Sequence, residues 1–163
     1  AYHLFPLESE KIEVLVHPQS IIHSMVEYID GSVLAQLGAP DMRTPIGYAL
    51  GWPERIKTPS EKLDFAKIRQ LDFEAPDLER FPALVCARDA LNAGGSMPAI
   101  LNAANEVAVD AFLKKKLPFL DIVTIVRESM DRIANRPLLD LDTVYEADQE
   151  ARTLAEQLVQ AKA

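Results

Sequence analysis

Residues 17–53 read HPQSIIHSMVEYIDGSVLAQLGAPDMRTPIGYALGWP, and this stretch decides the fold of the first half of the chain. Within it, residues 24–29 (SMVEYI) alternate apolar and polar side chains, the period of a strand with one face covered. Asp30-Gly31 supplies a two-residue turn that tolerates positive φ, and residues 32–37 (SVLAQL) alternate again on the far side. Together they predict a β-hairpin. Upstream, residues 12–17 (IEVLVH) form a short β-branched-rich run that also reads as a strand. Downstream, Gly38, Pro40 and Pro45 bracket a polar turn, APDMRT, and IGYALGW is apolar and helix-compatible until Pro53 stops it. The turn is therefore expected between a sheet and a helix.

The two histidines of this stretch are where chemistry can sit. His17 immediately precedes Pro18, which biases it towards extended geometry and places it at a strand end. His23 lies among Ile21, Ile22 and Met25, with Ser20 and Ser24 as hydrogen-bond partners. An imidazole there can bind phosphate or shuttle a proton near neutral pH. Equally, it can be a half-buried ring satisfied by a backbone carbonyl, the commoner arrangement. Two histidines without a third ligand make no metal site.

Beyond Pro53 the pattern changes. Residues 54–76 carry two short LDF pieces, at 63–65 and 71–73, between charged residues, and read as a linker with minor strands. From Asp77 onwards helical spacing replaces alternation. A first helix is expected over residues 80–92, ended by Gly94-Gly95, and a second after Ser96, with Pro98 in its first turn and Ile100, Ala104, Val107 and Ala111 on one face. Lys114, Lys115 and Lys116 suit the negative end of that helix and read as a solvated end, an anion site being the alternative. A third helix follows Pro118, striped by Phe119, Ile122, Val126, Met130 and Ile133; a fourth begins near Asp142, with Val144, Ala147, Ala151, Leu154 and Leu158 inward. Asn102, Asn105 and Glu106 read as capping and pinning residues, with a polar site as the alternative. Cys86, the single cysteine, lies in the apolar run ALVCA, excludes an internal disulfide and reads as a small core residue. The fold class is thus α+β: a sheet-bearing segment with a hairpin at residues 1–53, a linker at 54–76, and a four-helix bundle-like domain at 77–163.

Composition narrows the function classes. With 163 residues and 48% hydrophobic content, the chain can bury about two thirds of its unfolded surface, and its longest apolar runs fall short of the roughly twenty residues of a membrane span. The net charge of −8 argues against nonspecific nucleic-acid binding, which requires a basic face.

The run HPQSIIHSMVEYIDGSVLAQLGAPDMRTPIGYALGWPER, followed by KLDF, FEAPDLERFPAL and LNAANEVAVDAFL, resembles the 1-deoxy-D-xylulose 5-phosphate reductoisomerase family from Ile12 onwards. The resemblance implies rearrangement of 1-deoxy-D-xylulose 5-phosphate and reduction by NADPH to 2-C-methyl-D-erythritol 4-phosphate in the non-mevalonate isoprenoid pathway, with a divalent cation (Mg, Mn or Co) as Lewis acid. It implies that His23 belongs to the catalytic region, that Ser20 helps to bind substrate by ordering its phosphate loop, and that Pro40, Asp41 and Met42 approach the nicotinamide side of the cofactor. None of these is a metal ligand; those, and the glycine-rich nucleotide turn absent here, are expected upstream of Ala1. The chain therefore resembles the back half of such an enzyme, and the start at Ala1 without an initiator methionine agrees with a fragment inactive by itself. Family resemblance further implies a homodimer joined through the sheet-bearing domain, with residues 33–37 contributing. The single cysteine suits a reducing cytoplasm, and with no transit-type segment visible a bacterial cytoplasm is expected in preference to a plastid. It carries no flap role to Trp52, whose indole is expected to pack the short helix against the sheet. The alternative of another class is a noncatalytic dimerisation and scaffold module, its histidines serving structure alone.

Overall fold

The computed structural model describes residues 1–5 and 7–162. It divides into two compact units, one formed by Val14–Pro76 and the other by Ala1–Glu13 together with Asp77–Ala163.

In the Val14–Pro76 unit, β1 (Ile22–Glu27) and β2 (Val33–Leu37) pair antiparallel around the Asp30-Gly31 turn. Gly31 sits at φ +81°, and the Asp30 carboxylate accepts from both the Ser32 amide and hydroxyl, closing the turn locally. Pairing runs Glu27 to Val33, Val26 to Leu34, Met25 to Ala35 and Ser24 to Gln36, then slips by one residue so that Ile22 faces Leu37. His23 is the extra residue of this β-bulge, a device that re-aims a side chain. The hairpin leads into α1 (Arg43–Gly51) and later into the single-turn α2 (Phe65–Ile68), whose N-cap Asp64 accepts from the Ala66 and Lys67 amides.

Three expectations for this unit are corrected. Residues 12–17 form no strand; the run contributes one antiparallel bridge, Val16 to Glu74, because among the described residues it has no longer ladder to join. The LDF piece at 63–65 opens α2, since Asp64 offers its side chain as a helix cap. Residues 54–76 are no free linker: Glu74 bridges Val16, Asp72 binds Gln19, and Ile56 and Thr58 lie against Gly51 and Gly47. A Cβ on Gly47 would come within 2.5 Å of Thr58 Cγ2, so the absence of a side chain lets this segment close on α1.

The other unit contains α3 (Ala83–Ala93), α4 (Met97–Leu113), α5 (Asp121–Arg132) and α6 (Leu141–Lys162). Helix α4 is central and touches the other three. Its inner face is alanine-rich, with Ala103, Ala104 and Ala108 fully buried beside Ile100, and α6 presents Ala147, Ala151 and Ala155 likewise. Small residues on both helices allow the axes to approach closely, while Ile125, Val126 and Met130 of α5 fill the remaining space. Cys86 is part of this core. Phe119 departs from its expected stripe: it precedes the first turn of α5, stays exposed and meets Phe112 edge-on. Residues 80–82 precede α3, because Asp77 caps the Glu79 and Arg80 amides in a separate turn and Pro82 then opens the helix.

Residues 1–13, placed by sequence with the sheet segment, belong with the helices: the Arg88 guanidinium donates to the carbonyls of Ser9 and Ile12. The turn before α4 is clamped to the segment before α6. Buried Ser96 and its amide reach Asn135 Oδ1, while the Ser96 hydroxyl accepts from the Arg136 amide at 3.0 Å. The chain enters this clamp through Gly95 at φ +54°.

Candidate functional site

The hairpin register gathers the candidate residues at one end of the Val14–Pro76 unit. At the end opposite the Asp30-Gly31 turn, the Gly38 amide donates to the Ile21 carbonyl at 3.0 Å. This places Ser20 and His23 on one strand's extremity next to Gly38, from which Pro40, Asp41 and Met42 follow. Ile21, the buried apolar side chain there, anchors this end.

His23 is exposed, and its Nδ1 lies 3.0 Å from Gln36 Oε1. It is therefore not the carbonyl-satisfied core histidine that physics alone allows. Gln36 was missed in the sequence, although a lone polar residue two positions before Gly38 was the available signal. Ser20 is exposed and holds φ +50° at the end of a turn in which its amide donates to the His17 carbonyl at 3.0 Å. For a non-glycine residue this left-handed backbone is strained, a feature that clusters at functional sites.

His17 takes the structural place expected of it. Its Nδ1 donates to the Asp72 carbonyl at 2.7 Å and its ring stacks on Phe73 at 4.7 Å. Nε2 is buried and, among the described residues, has no hydrogen-bond partner. Gln70 and then Gln19 donate to Asp72 and hold its carboxyl below the usual range.

The cofactor candidates divide. The Asp41 carboxylate accepts from the Arg43 amide at 2.9 Å and binds the Arg43 guanidinium through both oxygens, which lowers its pKa to about 2. It fixes the head of α1 and is already paired. Met42, at the N-cap of α1, has 69% of its surface exposed, so its thioether is open to an aromatic ring. An exposed thioether beside a neutralised carboxylate fits the face of a nicotinamide better than a phosphate. Among the described residues no three His, Cys, Asp or Glu side chains converge on a cation site.

Three other expectations resolve locally. Trp52 is 69% exposed and meets Tyr48 edge-on at 5.5 Å, packing along its own helix and not against the sheet. Glu106 accepts from Asn102 and pairs with Arg152 of α6 at 2.6 Å, pinning α4 to α6. Lys114 pairs with Asp110 at 2.7 Å, and the Lys116 amide returns to the Ala111 carbonyl, so these lysines finish a helix.

The architecture defines an α+β protein in which a bulged hairpin and its proline-bounded turn accompany a C-terminal helical unit. Residues 37–154 match the family described as DXP reductoisomerase C-terminal domain. The chain belongs to the 1-deoxy-D-xylulose 5-phosphate reductoisomerase family. The reductoisomerase of Zymomonas mobilis is 58% identical over 161 residues, covering 99% of this chain and 42% of its own length. That of Chlorobium chlorochromatii is 59% identical over 155 residues, 95% of this chain and 41% of its own. The solved structure of the Zymomonas mobilis enzyme with NADPH superimposes with a TM-score of 0.90, covering 98% of this chain and 42% of that one. A structure of DOX-P reductoisomerase with NADPH, fosmidomycin and magnesium, 42% identical, also gives 0.90, over 97% of this chain and 41% of that one. The chain thus spans about two fifths of the length of these relatives. No described helix is long and apolar enough to cross a membrane.

Proposed function

We propose that this chain is the C-terminal part of an NADPH- and divalent-metal-dependent reductoisomerase that converts 1-deoxy-D-xylulose 5-phosphate to 2-C-methyl-D-erythritol 4-phosphate. The observation that carries this reading is identity of 58% across 99% of the chain with a reductoisomerase, including the whole hairpin and turn. The bound metal polarises the substrate carbonyl and NADPH supplies the hydride. The chain's own residues position and shield: His23 holds substrate or moves a proton, Ser20 orders the loop around the substrate phosphate, and Pro40 and Met42 bound the nicotinamide, with Asp41 keeping their turn in place through Arg43. The metal ligands belong to the remainder of the protein.

Two proposals complete this reading. The protein is a homodimer joined through the hairpin unit, supported by the exposure of Val33 and Leu34 on an open sheet edge. It works in a bacterial cytoplasm, as expected for a pathway enzyme with bacterial relatives.

The test is product identity. The protein expressed from its full native reading frame, supplied with substrate, NADPH and magnesium, is expected to yield the branched 4-phosphate by phosphorus NMR and mass spectrometry; recovery of unchanged substrate overturns the reading. In the same protein, His23→Gln is expected to lower turnover at least tenfold with the thermal midpoint unchanged; unaltered kinetics would return His23 to a structural role.

A further inference from the structure

We propose that Gln36 is a positioning residue that fixes His23 as the Nδ1–H tautomer, leaving Nε2 as the proton-accepting atom. This inference rests on the proposed reductoisomerase function of His23. Gln36 Nε2 lies 3.0 Å from the Leu37 carbonyl oxygen, and Gln36 Oε1 lies 3.0 Å from His23 Nδ1. The carbonyl only accepts, so the amide nitrogen must be the end that faces it. The amide oxygen is thereby committed to the imidazole, and only a protonated Nδ1 satisfies it. A reversed amide would set two oxygens against each other at Leu37.

The backbone makes this alignment possible. With uniform pairing the residue opposite Gln36 is Ser24, and it is the bulge at His23 that brings the imidazole onto the glutamine. Gly38 borders the pair, since a Cβ there would stand 3.5 Å from Gln36 Nε2 and 3.7 Å from His23 Cε1. Among the described residues Nε2 of His23 has no hydrogen-bond partner, so it is the nitrogen available to substrate. A partner on one ring nitrogen decides what the other can do, and the roughly 10–100-fold cost of losing such a partner behind a metal-ligating histidine sets the scale of the effect expected here.

The experiment uses the full-length protein labelled with 15N-histidine, read by two-bond 1H–15N correlation and by substrate-dependent NADPH oxidation. Wild type is expected to show His23 as Nδ1–H. Gln36→Leu removes the acceptor, so the ring is expected to drift to the Nε2–H form that dominates in free histidine, with kcat down roughly tenfold and the KM for NADPH unchanged. Gln36→Glu keeps an acceptor and adds a negative charge beside Nδ1, so Nδ1 is expected to stay protonated, while its second oxygen loses the bond to the Leu37 carbonyl. Its kcat is expected to lie above that of Gln36→Leu and below wild type, and its folding shows that the strand tolerates substitution. An unchanged nitrogen pattern in Gln36→Leu overturns the proposal, as does a changed pattern with wild-type kcat. A wild type without substrate-dependent oxidation overturns the functional reading and the catalytic purpose of the clamp, while the nitrogen pattern alone still decides whether Gln36 sets the tautomer.

Discussion

The Asp41 carboxylate accepts hydrogen bonds from the Arg43 guanidinium and amide, and these hold its pKa at about 2 against an ordinary 3.8. Because the folded value is depressed, the stabilisation of the turn is complete above about pH 4 and is lost as pH falls through about 2. A carboxyl carbon titration by NMR is expected to give that low midpoint in wild type and a higher one in Arg43→Ala, still below 3.8 because residue 43 keeps its amide bond to the carboxylate; equal midpoints contradict the guanidinium pairing. Met42→Ala, by contrast, is expected to raise the KM for NADPH more than that for substrate, while equal rises point to general loosening of the turn. Lys115 holds φ +58° at the end of α4, a conformation that costs an L-residue about 1 kcal/mol. Lys115→Gly should recover that amount, read as a higher urea midpoint at constant slope. At this scale the sequence offered His23, Ser20 and the Pro40-Asp41-Met42 turn as candidates. It hid Gln36 and the self-neutralised state of Asp41, because both depend on register and a local ion pair that no spacing rule encodes.

Helices α4 and α6 meet through small side chains, and their tolerance is correspondingly one-sided. Ala151 is fully buried, so Ala151→Leu inserts three carbons where no space exists and is expected to cost about 1–3 kcal/mol or more. Gly95→Ala meets two obstacles: φ +54°, and a Cβ placed 2.6 Å from Asn135 Oδ1 and 2.8 Å from the Arg136 carbonyl. The latter is backbone and cannot swing aside, so a loss of about 2–3 kcal/mol is expected. A wild-type denaturation midpoint in either variant contradicts the packing described. Helical spacing announced α4 and α6 because their buried faces repeat every three or four positions, and it picked out the buried Ile100, Ala104, Ala111, Ala147, Ala151 and Leu158. It passed over Ala103, Ala108, Ala155 and Val159, which are also buried, and set Val107, Val144 and Leu154 deeper than they lie. The strand expected over residues 12–17 failed for a different reason: β-branched content marks strand preference, but a ladder needs a partner, and Val16 finds only Glu74.

The two units differ in how much of their stability they contain. The helical unit has a continuous core, whereas among the described residues Ile21 is the one buried apolar side chain of residues 14–76. A two-stranded hairpin without a covering layer is marginal in water. Hydrogen exchange on this chain alone is therefore expected to protect α4 amides for hours and to release β1 and β2 amides within seconds to minutes; equal protection would show that the hairpin is stable as it stands. The same imbalance agrees with a chain spanning about two fifths of its relatives' length. The family was legible from long motifs alone. The central claim, that these residues supply part of a composite reductoisomerase site, is tested most directly by NADPH oxidation dependent on 1-deoxy-D-xylulose 5-phosphate and magnesium, measured on this chain and on its native upstream extension. Oxidation by the extended protein alone is the predicted result; none in the extended protein, or full turnover by this chain in isolation, contradicts it.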